Sequence, residues 1–247
     1  MADLILAVDR LMKSFGGLRA TNDLSLEVQR GECHAIIGPN GAGKTTFISQ
    51  LQGLLTPDSG TISLDGRDIT REPAHKRAKI GIARSFQITS LVPDFSALDH
   101  AALAVQARLG HSFRFWRPAR RDPALLDPAR EAIETVGLGA RANTLARDLS
   151  HGEARQLELA IAIAQKPRLL LLDEPMAGMG RKDGVAMTQL LARLKKDYSI
   201  ILIEHDMQAV FSLADRISVL VAGHIIKTGA PEAIRTDPDV RAAYLGH

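Results

Sequence analysis

The chain has 247 residues, 45% of them hydrophobic, with 31 Lys+Arg against 28 Asp+Glu and a formal net charge of +3. It can bury a sizeable core as one large or two small domains, and so small and interspersed a charge gives no case for nucleic acid as a partner. No run approaches the ~18 apolar residues of a membrane span, the start of the chain lacks the regions of a secretory signal, and the lone Cys33 reads as a buried hydrophobe in a reducing compartment, so a cytosolic chain is expected, with any membrane role coming through a partner.

Residues 4–8 and 23–28 are short alternating segments separated by Gly16-Gly17 and read as the edge of an antiparallel sheet. Residues 32–37 predict a buried strand, and the chain then runs through Gly38-Pro39-Asn40-Gly41-Ala42-Gly43-Lys44-Thr45-Thr46 into a helix over 46–51. That nonapeptide fits G-x-x-x-x-G-K-[ST] in the strand–loop–helix setting the motif requires, which implies a nucleoside triphosphate. Its glycines let backbone N–H groups turn inward around phosphate oxygens, and the helix adds its positive N-terminal end. Lys44 supplies a point charge for the β- and γ-phosphates, and Thr45 a hydroxyl for Mg²⁺.

Thr61-Ile62-Ser63-Leu64 and Asp65-Gly66 extend the antiparallel pattern. Between residues 87 and 149 the character changes to alanine-rich helical periodicity, interrupted over 114–123 by clustered arginines and prolines, which predicts a helical insertion into an α/β core. Leu149-Ser150-His151-Gly152-Glu153 then precedes an amphipathic helix over 154–165. Ser150 and Glu153 have the spacing of a capping box, and the same hydroxyl, glycine N–H and helix terminus could equally bind a phosphate. The core resumes with apolar strands over 169–172 and 200–203, joined by a helix around 185–196, and ends in a hairpin of 217–222 with 224–227 around Gly223.

The strand over 169–172 ends in Asp173-Glu174. Side chains alternate at a strand end, so the two carboxylates can take different tasks, Asp173 at a metal and Glu174 as general base for a water.

Taken together, the phosphate loop, Gln87, LSHGE at 149–153, LLLLDEP at 169–175 and His205 resemble, in order and spacing, the ATP-binding-cassette (ABC) ATPases over essentially the whole chain. The resemblance implies an α/β P-loop NTPase core of ABC ATPase type, with an antiparallel β subdomain and an inserted α-helical subdomain. It implies one domain over 1–247, with 1–86 and 155–247 forming the nucleotide-binding core and β subdomain and 87–154 the helical subdomain. It further implies that ATP and Mg²⁺ are bound, that Gln87 senses the γ-phosphate and the metal, that His205 holds the γ-phosphate and positions water, and that Phe15 stacks on adenine. Metal contacts then fall to Thr45, Gln87 and Asp173.

Ser14-Phe15-Gly16-Gly17-Leu18, Ala83-Arg84-Ser85-Phe86-Gln87, Glu174-Pro175-Met176-Ala177-Gly178 and Ala243-Tyr244-Leu245-Gly246 are similar to the ATP-binding subunits of branched-chain amino acid importers, a group with relatives for urea and short amides. Members work as ATPase dimers in which Ser150 and Gly152 of one subunit would close over ATP on the other. They sit at the cytoplasmic face of the membrane beneath two permease subunits, and a periplasmic or extracellular binding protein delivers the solute. His151 and Glu153 depart from the family's second glycine and final glutamine, and Gly180 stands where many members have an aspartate, which suggests a non-identical partner ATPase. Two other readings stay open: an export ATPase for lipid or polysaccharide, and a soluble, non-transport ABC protein. Leu91, Val92 and Phe95 look exposed enough to receive a permease helix or to pack the helical subdomain, and the segment 111–121 mixes aromatics and arginines as a solvated hairpin or a lipid-facing one.

Overall fold

The computed structural model describes residues 3–85, 91–110 and 122–242. Gln87, the 111–121 segment and Ala243-Tyr244-Leu245-Gly246 lie outside the described residues. Strands β1 (Leu4–Phe15), β2 (Leu18–Gln29), β4 (Ser59–Leu64) and β5 (Arg67–Asp68) make an antiparallel sheet in the order β2-β1-β4-β5. In the second sheet β9 (Arg216–Val221), β3 (Cys33–Ile37), β8 (Ser199–Ile203), β7 (Leu169–Asp173) and β6 (Ile82–Arg84) lie side by side and parallel, and β10 (His224–Gly229) closes the edge antiparallel to β9.

Every residue of β3, β7 and β8 is buried, as a parallel sheet covered on both faces requires. Alternation along β7 shows the two coverings. Leu169 and Leu171 join Ile36, Ile201 and Ile203 in a core shared with the antiparallel sheet and with Phe47, Ile48 and Leu51 of helix α1 (Lys44–Gln52). Leu170 and Leu172 join Ala35, Ile200 and Leu202 in a second core on the opposite face. That second core is closed by α3 (Ala97–Leu109), α4 (Pro123–Thr135) and α5 (His151–Ala164), which pack on one another, and by α6 (Arg181–Leu194) and α7 (Met207–Leu213). Helix α2 (Ala74–Ile80) precedes β6, and α8 (Pro231–Thr236) follows β10.

Several boundaries differ from the sequence expectation for identifiable reasons. The two segments at 4–8 and 23–28 belong to one hairpin of 12-residue strands, continued past register shifts near Arg10 and Asp23, both at positive φ. The helix expected from 154 starts at His151, because Ser150 and Glu153 do form a capping box and bring the first turn into the helix. Helix α2 was invisible to periodicity, since Arg77 is its one buried residue. Of the three apolar residues read either as a docking surface or as packing of the helical subdomain, Val92 is exposed, while Leu91 packs on the helical core and Phe95 meets His100 edge-on.

Arg77 explains why α2 exists. Its guanidinium is 1% exposed and donates to the carbonyls of Gln50 (2.7 Å), Leu51 (2.8 Å), Thr70 (2.9 Å) and Glu72 (2.8 Å). The first two lie at the C-terminus of α1, where a cation suits the helix dipole, and the Gln50 carbonyl accepts from the Gly53 N–H (3.2 Å) as well. Helix α1 is thereby clamped at the end opposite the phosphate loop.

Candidate active site

β3, β8, β7 and β6 are adjacent and parallel, so their C-terminal ends share one edge of the sheet, the usual place for a ligand in such an architecture. From that edge issue the loop at 38–46 after β3, Glu204-His205 after β8, Asp173-Glu174 at the end of β7, and Arg84-Ser85 at the end of β6. Sequence positions as far apart as 38 and 205 are brought together by strand order alone.

The loop is held by backbone rather than by side chains. A Cβ on Gly38 would lie 2.0 Å from the Leu220 carbonyl oxygen, and one on Gly43 (φ +106°) 2.1 Å from that of Ala20. The Gly223 N–H donates to the Ala42 carbonyl at 2.9 Å, and the Asn22 N–H donates to the Gly223 carbonyl at 3.0 Å. Lys44 folds back over its own loop, with Nζ donating to the carbonyls of Gly38 (2.7 Å) and Pro39 (3.1 Å). Burial lowers its pKa, opposed by the charges of Glu174 and Asp173. Gly43 caps α1 without a side-chain bond and no acid occupies the first turn, so the positive helix end is left for an anion. Asn40, Gly41 and Thr45 are exposed at this surface, with Thr46 half-buried behind them.

The two neighbouring carboxylates do separate, through a turn after the strand rather than through alternation within it. Asp173 is 1% exposed and its Oδ2 accepts from Arg84 Nη2 at 2.8 Å. Burial raises its pKa, and Arg84 works against that rise. Glu174 turns out of the strand at φ +51°, its N–H donating to the Ile203 carbonyl at 2.8 Å and its Oε1 lying 2.8 Å from His205 Nε2. A non-glycine residue at that φ carries strain, which here aims the side chain at the loop following β8.

Two contributors escaped the sequence reading. Glu204 is 4% exposed and accepts from the N–H groups of Met176 and His205, both at 2.8 Å, so one carboxylate ties the turn after Glu174 to the one bearing His205. Arg84 donates to both Gln52 (2.8 Å) and Asp173, linking the end of α1 to the end of β7. Glu204 could have been found, because it follows an apolar strand just as Asp173-Glu174 do. Arg84 entered only as part of Ala83-Arg84-Ser85-Phe86-Gln87, and nothing there shows its pairing with Asp173.

Ser150 and Gly152 are not brought to the phosphate loop. They start α5 and line a separate small cleft with Met179 and Asp183. Glu153 accepts from the Ser150 N–H (2.8 Å) and pairs with Arg141 (3.0 Å), and the backbone bond from Ser150 chiefly holds its pKa below the usual range. Phe15 is 50% exposed on the hairpin whose second strand abuts Gly43, with Lys13 Nζ 5.8 Å from its ring centroid. It is not a core residue. The donor set suits a magnesium nucleotide: a hydroxyl at Thr45 and a carboxylate at Asp173 are hard oxygen ligands. Among the described residues no group of three metal-ligating side chains exists, and Mg²⁺ held through phosphate oxygens and water needs none.

Comparison with known proteins agrees with this geometry. The family model for the ABC transporter matches residues 21–177, and that for the branched-chain amino acid ATP-binding cassette transporter matches 226–247. The chain is 39% identical to the high-affinity branched-chain amino acid transport ATP-binding protein LivG of Salmonella typhimurium and to its counterpart BraF of Pseudomonas aeruginosa, in each case over 100% of this chain and 99% of the relative. A solved ATP-binding cassette of an ABC transporter in its ADP conformation superposes with a TM-score of 0.86 at 26% identity, covering 99% of both chains. A nucleotide-free cassette from an ABC transporter gives 0.86 at 27% identity, covering 99% of this chain and 100% of the other. The strand-edge constellation and these likenesses lead to one conclusion: the chain belongs to the ABC transporter family, as an ATP-binding cassette whose activity is ATP hydrolysis.

Proposed function

We propose that this cassette hydrolyses Mg²⁺-ATP to power import of branched-chain amino acids, or of a related small amino acid or amide solute. It works at the cytoplasmic face of the membrane beneath two permease subunits, paired with a second ATPase subunit and fed by an external solute-binding protein. Full-length identity to branched-chain transport ATP-binding proteins supports the solute class.

The observation that carries the mechanism is the Glu174–His205 contact at 2.8 Å beside the phosphate loop. Glu174 takes a proton from the attacking water as its oxygen bonds to the γ-phosphorus, and the bond from that phosphorus to the bridging oxygen of ADP breaks, leaving ADP and inorganic phosphate. His205 orients Glu174 and reaches the γ-phosphate. Lys44 and the N–H groups from Gly38 to Thr46 hold the phosphates and the charge that develops on them. Thr45, Asp173 and Gln87 would hold Mg²⁺, which would supply positive charge against the phosphates. Phe15 stacks on the adenine, and Ser150 and Gly152 serve the nucleotide on the partner subunit. Glu153, its carboxylate taken up by the Ser150 N–H and Arg141, stands where the family has a glutamine, and with Gly180 this supports pairing with a non-identical cassette.

Glu174→Gln should retain ATP binding and lower kcat by ~10²–10⁴-fold. Steady-state phosphate release together with nucleotide titration checks both halves, and near-wild-type turnover would place the base elsewhere.

A further inference from the structure

The parallel sheet has a second charged edge. Where the loop at 38–46, Asp173 and His205 occupy the C-terminal strand ends, the amino ends of β6 and β7 open onto a cavity of about 650 Å³. The two edges lie at least the length of β7 apart, roughly 15 Å. Three layers meet at the cavity: the β4–β5 turn, the end of α2, and the ends of α3 and α5. Its wall carries Arg67, His75, Lys79, Arg108, Lys166 and Arg168.

Helix ends could account for some of this charge, because α2, α3 and α5 all direct their C-termini here. Three such ends carry about −1.5 charges, Asp65, the one acid among the described wall residues, carries another and Glu72 beside Arg67 a third, so against five formal positive charges an excess of roughly +1.5 remains. Arg168 is paired with Asp65 at 2.8 Å and Arg67 with Glu72 at 3.3 Å. Lys79, Arg108 and Lys166 meet no acid among the described residues, and the Nε of Arg108 is buried with no hydrogen-bond partner. Cations that converge in a concavity without counter-charge make a focused positive potential. The volume is that of a small-molecule site, and Leu64 and Ile80 add apolar wall for a carbon skeleton.

We propose that this cavity is a second anion site, distinct from the nucleotide site, that takes a small multiply phosphorylated molecule. Lys79, Arg108 and Lys166 hold its phosphates. A ligand there touches the β-subdomain turn, α2 and the helical layer at once, so it favours whichever arrangement of the three brings the cations together.

Calorimetric titration of inorganic tripolyphosphate tests the site. In the unaltered chain two sites are expected, one of them the phosphate loop. Lys44→Ala should leave one, and adding Lys79→Glu with Arg108→Glu should weaken that one about 10²-fold or more, while raising salt weakens it in the parent. Lys79→Glu/Arg108→Glu in an otherwise unaltered chain should keep its ADP affinity, which reports an intact fold. A single site in the unaltered chain, or tripolyphosphate binding to Lys44→Ala that survives both charge reversals, would overturn the proposal. So would binding of the Lys44→Ala chain to phosphatidylglycerol vesicles, lost on charge reversal, in the absence of any tripolyphosphate binding.

Discussion

Arg84 and Asp173 show how one pair can serve both structure and chemistry. Their side chains are 11% and 1% exposed and they meet at 2.8 Å. Removing one member of a buried pair strands the other charge, at about 3–5 kcal/mol. Arg84→Gln should therefore lower the melting temperature, and the loss should depend on pH. Burial already raises the Asp173 pKa, and without Arg84 it rises further. The penalty is absent while Asp173 is protonated, below the ordinary carboxylate range, and grows as pH climbs through the raised folded value. Melts at pH 5 and pH 8 check this, with the larger gap between variant and parent expected at pH 8. At this scale the sequence told most about groups that carry a motif. Lys44, Asp173 and Glu174 were legible because their chemistry requires a fixed spacing. Arg84 and Arg77 were not, because their partners lie on other strands or are backbone carbonyls, which leave no trace in the sequence, while Glu204 shows there only its place after an apolar strand and not the two N–H groups it accepts from.

Elements were legible in proportion to their apolar pattern. Wholly buried β3, β7 and β8 stood out as apolar runs, whereas α2 has a single buried residue and β6 is three residues long. What holds α2 is the Arg77 clamp on α1, and the clamp gives the sharpest test at this level. Arg77→Met keeps the stem and removes the donors, leaving the buried Leu51 carbonyl unsatisfied at about 1–3 kcal/mol and the Gln50 carbonyl with only the Gly53 N–H at 3.2 Å. A loss on the order of 3 kcal/mol in denaturant-midpoint measurements is expected, with Arg77→Lys recovering only part of it, since an ammonium cannot span four acceptors in the fork geometry of a guanidinium.

For the whole molecule, the strand order that gathers the phosphate loop, Asp173, Glu174 and His205 leaves Ser150 and Gly152 in a different cleft. If Ser150 and Gly152 serve the partner's nucleotide, as proposed, a single chain holds a nucleotide but lacks the contact that closes it. The purified chain should bind ATP with little turnover and gain ~10²-fold or more in specific activity when a second cassette is added, the scale of a missing transition-state contact. Full turnover by a homodimer would remove the argument for an unlike partner. The topology was readable as a class from strand–loop–helix alternation, but strand order was not, since nothing local specifies that β3 lies between β8 and β9. The same non-locality gives the backbone bonds under the phosphate loop a meaning for folding. Asn22, Ala42 and Gly223 come from the first strands, the loop itself and the final hairpin, and they meet through two hydrogen bonds at 3.0 and 2.9 Å. The nucleotide cradle is therefore among the last things the chain completes: a nascent chain that has not yet supplied residue 223 has the motif but not its floor. Nucleotide affinity belongs to the finished molecule and not to its first fifty residues, so bound ATP stabilises the whole fold by mass action rather than one corner of it.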